Sequence, residues 1–213
     1  MPFGLSNAPL TFQRFMNKLF ANLLDVYIIV YLDDILIYSK NLTEHRRQVK
    51  EVLRRLKANR LGMSPSKCIF HKEQVEFLGL ILSPRGLCMD EEKVQMIRDW
   101  SPPCRLKDVQ SFLGSVNFYR RFIHSYSKIV LPLTQLTRKN TPWSWSNNCQ
   151  QTFDTLKLVF TLAPILTHWD PKAPIVVETN ASNYALATIL STQIGTEIHP
   201  LVFHSRMFNM VMG

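Results

Sequence analysis

One short stretch decides how this chain begins to fold: Val26-Tyr27-Ile28-Ile29-Val30-Tyr31-Leu32-Asp33-Asp34-Ile35-Leu36-Ile37-Tyr38. Two runs of β-branched and aromatic residues flank residues 32–34, a pattern typical of a β-hairpin. The hairpin would carry two carboxylates, Asp33 and Asp34, at its tip. The same aspartates argue against a membrane span through this apolar segment, because charged side chains are costly in lipid.

The adjacent aspartates have two interpretations. Like charges a few ångströms apart are costly unless a cation neutralises them, and oxygen-only ligands suit Mg²⁺. Two such ions can clamp the attacking and leaving oxygens of a phosphoryl transfer. The alternative is an exposed Asp-Asp turn without a ligand. The pair alone does not decide between them.

The segments around the hairpin predict a mixed α+β protein. An amphipathic helix is predicted over residues 8–24, a second helix from Thr43 to near Gly62, and a second extended pair over 67–70 and 75–82. Residues 90–139 have helical periodicity interrupted by Pro102-Pro103. A helix containing Phe153 and Phe160 follows, and then three strands over 175–179, 185–191 and 198–205.

Composition excludes a wholly disordered chain, since 46% of the 213 residues are hydrophobic. The net charge of +9 is uneven, because residues 40–72 alone hold ten basic and two acidic side chains. Such a surplus suits a nucleic-acid partner, although a membrane surface or plain solubility would also account for it.

The four cysteines are too widely spaced for a disulfide framework, which favours a reducing compartment. Cys68 and His71 have a metal-like spacing, with a core cysteine as the alternative. No secretory signal or transmembrane segment is visible, so we expect the protein in the cytoplasm or nucleus.

Further motifs occur in a fixed order along the chain. They are Met1-Pro2-Phe3-Gly4-Leu5-Ser6-Asn7-Ala8-Pro9, Phe12-Gln13, Tyr31-Leu32-Asp33-Asp34, Phe77-Leu78-Gly79, Phe112-Leu113-Gly114, Asn117-Phe118-Tyr119-Arg120-Arg121-Phe122-Ile123, Ala163-Pro164-Ile165-Leu166 and Glu178-Thr179-Asn180-Ala181-Ser182. Together they closely resemble the reverse transcriptase, thumb, connection and early RNase H motifs of gypsy-type long-terminal-repeat retrotransposons. The resemblance covers essentially the whole chain.

The resemblance implies an α+β fold in three parts. Residues 1–86 would form part of a polymerase palm, with antiparallel hairpins packed on helices. Residues 87–140 would form the helical thumb and connection, and residues 141–213 a truncated, incomplete RNase H-like α/β domain. The implied activity is RNA-directed DNA polymerisation with two Mg²⁺ ions. The implied partners are an RNA/DNA template–primer duplex, deoxynucleoside triphosphates and the remainder of a Pol polyprotein, with no membrane.

The same resemblance implies roles for individual residues. Asp33 and Asp34 would bind the catalytic metal ions, with Asp33 the more critical. Tyr31 would lie against the primer terminus, and Gln13 would support the template side. The other implied contacts are with the incoming nucleotide (Phe3 and Gly4), the primer end (Phe77, Leu78 and Gly79) and the duplex (Asn117, Tyr119 and Arg120). Phe77 and Tyr119 could instead be core residues, and Gly4 could serve only a turn.

Three departures from the family pattern set further expectations. The family's third polymerase carboxylate lies on a strand before the motif of residues 1–9, and Asp25 is expected at the wrong end of the hairpin to replace it. Asn180 stands where the RNase H motif has aspartate, and the chain ends before the next RNase H carboxylate. We therefore expect a C-terminal Pol fragment with little polymerisation and no RNase H activity.

A degenerate or co-opted non-enzymatic protein that binds nucleic acid or another partner is the alternative. A relic without a stable fold is a third interpretation. An in-frame upstream continuation of the gene would separate a fragment from a co-opted protein.

Overall fold

The computed structural model describes residues 6–208, which fall into two compact units, one ending at Phe77 and the other beginning at Leu78. Within residues 6–77, the first unit contains two α-helices, a short 3₁₀ helix and three short strands. The α-helices and strands are α1 (Ala8–Leu19), β1 (Ile28–Tyr31), β2 (Asp34–Ile37), α2 (Leu42–Ala58) and β3 (Val75–Phe77).

The core of the first unit lies where α1 and α2 meet the β1–β2 hairpin. Its buried side chains come from α1, β1 and α2 and from the turn after α1: Met16, Phe20, Leu23, Ile28, Val30, Val52 and Leu56. Ile35 and Ile37 of β2 are partly buried against them. Burial alternates along β1, where Ile28 and Val30 are buried while Ile29 and Tyr31 face outward. The β1–β2 hairpin is thus held against the protein by one face only.

Three local expectations need correction in the first unit. The first helix ends at Leu19 rather than near residue 24, and residues 20–23 form turns. Helix α2 is capped by Asn41, whose side chain accepts a hydrogen bond from the Glu44 backbone, and not by Thr43. Residues 67–70 form no strand, since a 3₁₀ turn at Pro65–Lys67 and irregular chain replace it.

The second unit joins a hairpin, a group of helices and a three-stranded sheet. Its elements are β4 (Leu80–Ser83), β5 (Gly86–Met89), α3 (Glu91–Arg98), α4 (Leu106–Phe118), α5 (Tyr126–Ile129), α6 (Leu131–Leu136), α7 (Asn147–Thr161), β6 (Ile175–Ala181), β7 (Ala185–Ile194) and β8 (Glu197–Met207). A large aromatic core lies among the helices, where the Phe112 and Phe153 rings have centroids 4.7 Å apart. The helical segment and the three final strands are as predicted.

The final sheet has the strand order β6-β7-β8, with both pairings antiparallel. Asn180 lies opposite Ala187 in the β6–β7 register. Ser205 of β8 is buried against Ser127 of α5, whose backbone N–H donates to the Ser205 hydroxyl at 2.9 Å. This contact ties the sheet to the helices of the same unit.

None of the helices within residues 6–208 is both long and apolar enough to span a membrane. All four cysteines are free thiols.

Candidate active site

The tip of the β1–β2 hairpin presents Asp33 and Asp34 to solvent. Tyr31 and Asp34 are partners in the register, so that Leu32 and Asp33 make the turn between them. Leu32 has a left-handed backbone, with φ of 51°, a conformation that costs an L-residue about 1–2 kcal/mol. Tyr31 is 54% exposed beside the aspartates. The hairpin predicted from the sequence is therefore present, with both carboxylates at its tip.

Gln13 of α1 fixes the backbone of this turn. Its side-chain oxygen accepts a hydrogen bond from the Leu32 N–H at 2.6 Å, and its amide nitrogen donates to the Val30 carbonyl at 3.2 Å. The same nitrogen donates to Asn17, one helical turn further on, at 2.8 Å. Gln13 thereby satisfies backbone groups on both sides of Tyr31. Gln13 lies on the polar face of α1, as expected. The side chain that was expected to support the template side forms its hydrogen bonds with Leu32, Val30 and Asn17.

The chemistry of the two aspartates fits a hard divalent cation. Within residues 6–208, neither carboxylate forms a hydrogen bond or an ion pair with the protein, which leaves their oxygens available as ligands. No cluster of three or more metal-type ligands occurs in this part of the chain. Asp25 precedes β1 and lies at the opposite end of that strand from the tip, as expected. The pair could hold Mg²⁺ only with further ligands.

A second group of predicted residues lies where β3 ends and β4 begins. Phe77 ends β3 and is half-buried. Leu78 and Gly79 both have a left-handed backbone, with φ of 52° and 74°. The Tyr119 hydroxyl, which lies with Gly79 in the second unit, donates to the Gly79 carbonyl at 3.1 Å. Because Tyr119 is itself buried, it stabilises the turn from the protein interior and does not present its ring to a ligand.

Arg120 points into the protein. Its guanidinium donates to the Ser205 carbonyl and, at 3.3 Å, to the Ser127 hydroxyl. It also lies over the Tyr126 ring, 5.5 Å from the centroid. Asn117, two residues earlier along the chain from Tyr119, is exposed. Arg120 therefore joins α5 to β8, a role that its place in a basic motif did not suggest.

Of the remaining predicted residues, the structure describes Asn180 but not Phe3 and Gly4. Asn180 is exposed on β6 and offers an amide in place of a carboxylate.

Two family models match the chain. Residues 1–82 match the reverse transcriptase (RNA-dependent DNA polymerase) family, and residues 145–211 match the RNase H-like domain found in reverse transcriptase. Between them the two matches include the hairpin tip, the Leu78–Gly79 turn and Asn180.

Relatives and solved structures agree with these matches. The Tf2-3 and Tf2-7 transposon polyproteins of Schizosaccharomyces pombe are each 37% identical over 191 residues, which is 90% of this chain. The chain spans only 14% of the length of these relatives. A foamy viral protease-reverse transcriptase in complex with dsDNA is 27% identical, with a TM-score of 0.83 over 99% of this chain and 44% of that one. The same viral protein in complex with an RNA/DNA hybrid gives a TM-score of 0.81 at 27% identity, over 99% and 28%.

The two family matches and the likeness to solved reverse transcriptases identify the class to which this sequence belongs. The chain consists of reverse transcriptase sequence followed by an RNase H-like domain, of the kind found in retrotransposon polyproteins.

Proposed function

We propose that this chain supplies the metal-binding hairpin and the primer-binding turn of an RNA-directed DNA polymerase from a gypsy-type long-terminal-repeat retrotransposon. The observation that carries the proposal is the pair of exposed, unpartnered carboxylates, Asp33 and Asp34, on a turn whose backbone Gln13 fixes. The order of the sequence motifs supports the gypsy-type assignment.

The reaction joins a deoxynucleotide to the 3′ end of a DNA primer on an RNA or DNA template. The primer 3′-hydroxyl loses its proton to water as its oxygen forms a bond to the α-phosphorus of the triphosphate, and pyrophosphate leaves as the bond from the α-phosphorus to the bridging oxygen breaks. Bound Mg²⁺ would lower the pKa of the primer hydroxyl and neutralise the charge that develops on the phosphates. Asp33 and Asp34 supply oxygen ligands, and the exposed Tyr31 lies against the primer terminus. The family resemblance places a third carboxylate on a strand before the motif of residues 1–9.

Binding of the duplex uses direct and indirect contacts in this proposal. Phe77, Leu78 and Gly79 grip the primer end, and Tyr119 acts by fixing the Gly79 carbonyl. Arg120 acts indirectly, since its guanidinium is occupied by protein groups. Phe3 and Gly4 line the nucleotide site. The foamy viral structures with dsDNA and with an RNA/DNA hybrid support a duplex as the partner.

The domain assignment is part of the proposal. Residues 1–86 serve as part of the palm, 87–140 as thumb and connection, and 141–213 as an RNase H-like domain. Asn180 makes this last domain a poor nuclease, because a neutral amide is a weaker Mg²⁺ ligand than a carboxylate. We expect no Mg²⁺-dependent cleavage of the RNA strand of an RNA/DNA hybrid, and cleavage would disprove this part.

Metal binding at the hairpin is the first test. Mn²⁺ added to the ¹⁵N-labelled chain should broaden the amide resonances of residues 31–35 in NMR spectra. Asp33→Asn and Asp34→Asn should abolish the broadening, whereas Asp25→Asn, at the other end of β1, should retain it. Equal broadening in the unmutated chain and all three variants would contradict metal binding by Asp33 and Asp34.

The reaction itself is tested by primer extension in the polyprotein context, with Mg²⁺ and an RNA template annealed to a DNA primer. Template-dependent incorporation should be lost in Asp33→Asn and kept in Asp25→Asn. A second candidate function, non-enzymatic binding of nucleic acid, is favoured by the amide at Asn180. Duplex binding without incorporation in the unmutated protein would select this second candidate.

A further inference from the structure

A row of basic side chains runs along the solvent side of α2. Its members recur every three or four residues and therefore share one helix face. The basic stripe consists of Arg47, Lys50, Arg54 and Lys57, all of which are exposed. The opposite face of α2 buries Gln48, Val52 and Leu56.

The acidic residues of α2 leave most of this charge uncompensated. Glu51 accepts hydrogen bonds from Arg54 and Arg55, which lower its pKa to about 2 and keep it ionised. Arg55 is additionally tied to the Leu19 carbonyl at 3.0 Å, so it belongs to the fold rather than to the stripe. Arg54 keeps 66% of its side chain exposed even in its ion pair.

The remaining members of the stripe are Arg47, Lys50 and Lys57, of which Arg47 interacts electrostatically with Tyr27. Within residues 6–208, Arg47, Lys50 and Lys57 form no ion pair and no hydrogen bond through their side chains. A solvated helix face would ordinarily alternate the two signs of charge, whereas here one sign prevails.

We infer that the basic stripe of α2 is a contact surface for the phosphate backbone of nucleic acid, additional to the binding of the duplex at the primer turn. The inference goes beyond the proposed function and draws on it only for the presence of nucleic acid. Arg47 and Lys57 are ten positions apart, which is about 15 Å of helix. Several backbone phosphates of one strand can contact a stripe of that length.

Two features favour nucleic acid over a membrane surface. An interfacial helix inserts apolar side chains into lipid, but the apolar face of α2 is already buried in the core of the first unit. Tyr27, half-buried against the core of the first unit, lines a notch of about 280 Å³ with Arg47, Gln48 and Glu51 at one edge of the stripe. Aromatic side chains among cations are typical of surfaces that bind single strands.

The test measures binding of a fluorescent 15-nucleotide poly(dT) strand to the purified chain by anisotropy at several salt concentrations. Phosphate contacts make the logarithm of the affinity fall linearly with the logarithm of the salt concentration, by about 0.7 per contact for a single strand. Lys50→Gln with Lys57→Gln should therefore reduce the slope by about 1.4 and the affinity at 0.1 M salt by about 25-fold. Glutamine has a helix propensity close to that of lysine, so α2 should persist.

A matched control removes the same net charge elsewhere. Arg98→Gln with Lys172→Gln, both exposed in the second unit, should leave the slope within experimental error of the unmutated chain. Lys50→Arg with Lys57→Arg should keep full binding. Circular dichroism and a melting curve check that each variant is folded.

Several outcomes would overturn the inference. They are an unchanged slope in Lys50→Gln with Lys57→Gln, an equal loss in the control pair, absence of salt-dependent binding by the unmutated chain, and tighter binding to phosphatidylserine vesicles than to the oligonucleotide. Asp33→Asn separates this inference from the proposed function, since it should abolish Mn²⁺ broadening and leave the oligonucleotide slope unchanged. Lys50→Gln with Lys57→Gln should keep the Mn²⁺ broadening and reduce the oligonucleotide slope.

Discussion

Gln13 determines the geometry of the residues that carry the proposed chemistry without being a metal ligand itself. It accepts from the Leu32 N–H and donates to the Val30 carbonyl, and so holds a leucine in a left-handed conformation directly before Asp33. A turn of this kind would be costly if its backbone groups lacked partners. We therefore treat Gln13 as a positioning residue for the aspartate pair.

Gln13→Ala should destabilise the first unit by about 1–3 kcal/mol, because the half-buried Leu32 N–H and Val30 carbonyl lose their partner. Mn²⁺ broadening at residues 31–35 should weaken in the same variant. Urea unfolding gives the free energy, and NMR titration gives the metal affinity.

Asn17→Ala is the control for this experiment. It removes only an exposed side-chain partner of Gln13 and should change the free energy of unfolding by less than about 0.5 kcal/mol. If Gln13→Ala were as stable as Asn17→Ala and bound Mn²⁺ equally well, the positioning role would be wrong.

For single residues, the sequence predicts which side chains lie at the site better than it predicts their hydrogen-bond partners. Asp33 and Asp34 are exposed at the turn between two apolar runs, and those runs identify the hairpin in the sequence. Gln13 and Arg120 have partners that are distant in the chain, the latter on β8, 85 residues away. Such pairings depend on tertiary packing and have no local sequence signature.

Among the elements, the backbone bridge between Leu87 of β5 and Leu166 requires a glycine at position 86. The Leu87 N–H donates to the Leu166 carbonyl at 2.7 Å, and the Leu166 N–H returns the bond at 2.8 Å. Gly86, directly before this bridge, has φ of 134°, and a Cβ there would lie 2.2 Å from the Leu166 carbonyl oxygen. Only a residue without a side chain fits this approach of two backbones.

Gly86→Ala should destabilise the second unit by about 2–4 kcal/mol, because it combines backbone strain with a steric clash. Gly114→Ala, in the middle of α4 with open space around the site, should be neutral or stabilising by up to about 1 kcal/mol. Chemical unfolding of both variants provides the comparison. A Gly86→Ala protein as stable as the unmutated chain would mean that the two segments do not approach so closely.

The elements themselves followed from periodicity wherever the pattern was long. Helix α7 and the three final strands appear where apolar spacing predicted them. The predicted strand at residues 67–70 was wrong, because its apolar residues Ile69 and Phe70 are exposed and join no ladder. A run of four residues is too short to distinguish a strand from irregular chain.

For the whole molecule, the net charge of +9 conceals an uneven distribution. Residues 40–72 hold ten basic and two acidic side chains, of which α2 holds six and two, whereas residues 141–213 hold three basic and four acidic side chains. The second unit instead buries the titratable side chain of Tyr126. Tyr126 is 3% exposed, and burial raises its pKa to about 12, against the lowering effect of Arg120.

This burial makes the stability of the molecule sensitive to alkaline pH. The unfolded chain ionises Tyr126 near pH 10 and the folded chain only near pH 12, so its contribution is complete below pH 10 and is lost as the pH rises to 12. The loss at pH 11, relative to pH 9, should be about 1 kcal/mol.

Tyr126→Phe should flatten this dependence, because it keeps the buried ring and removes the titrating hydroxyl. Tyr184→Phe, a change at a tyrosine that is 55% exposed, should retain it. Urea unfolding at pH 9, 10 and 11 measures the difference between the two variants. If their slopes against pH were equal, another group would account for the alkaline sensitivity, and Tyr126 would be accessible to water in the folded second unit.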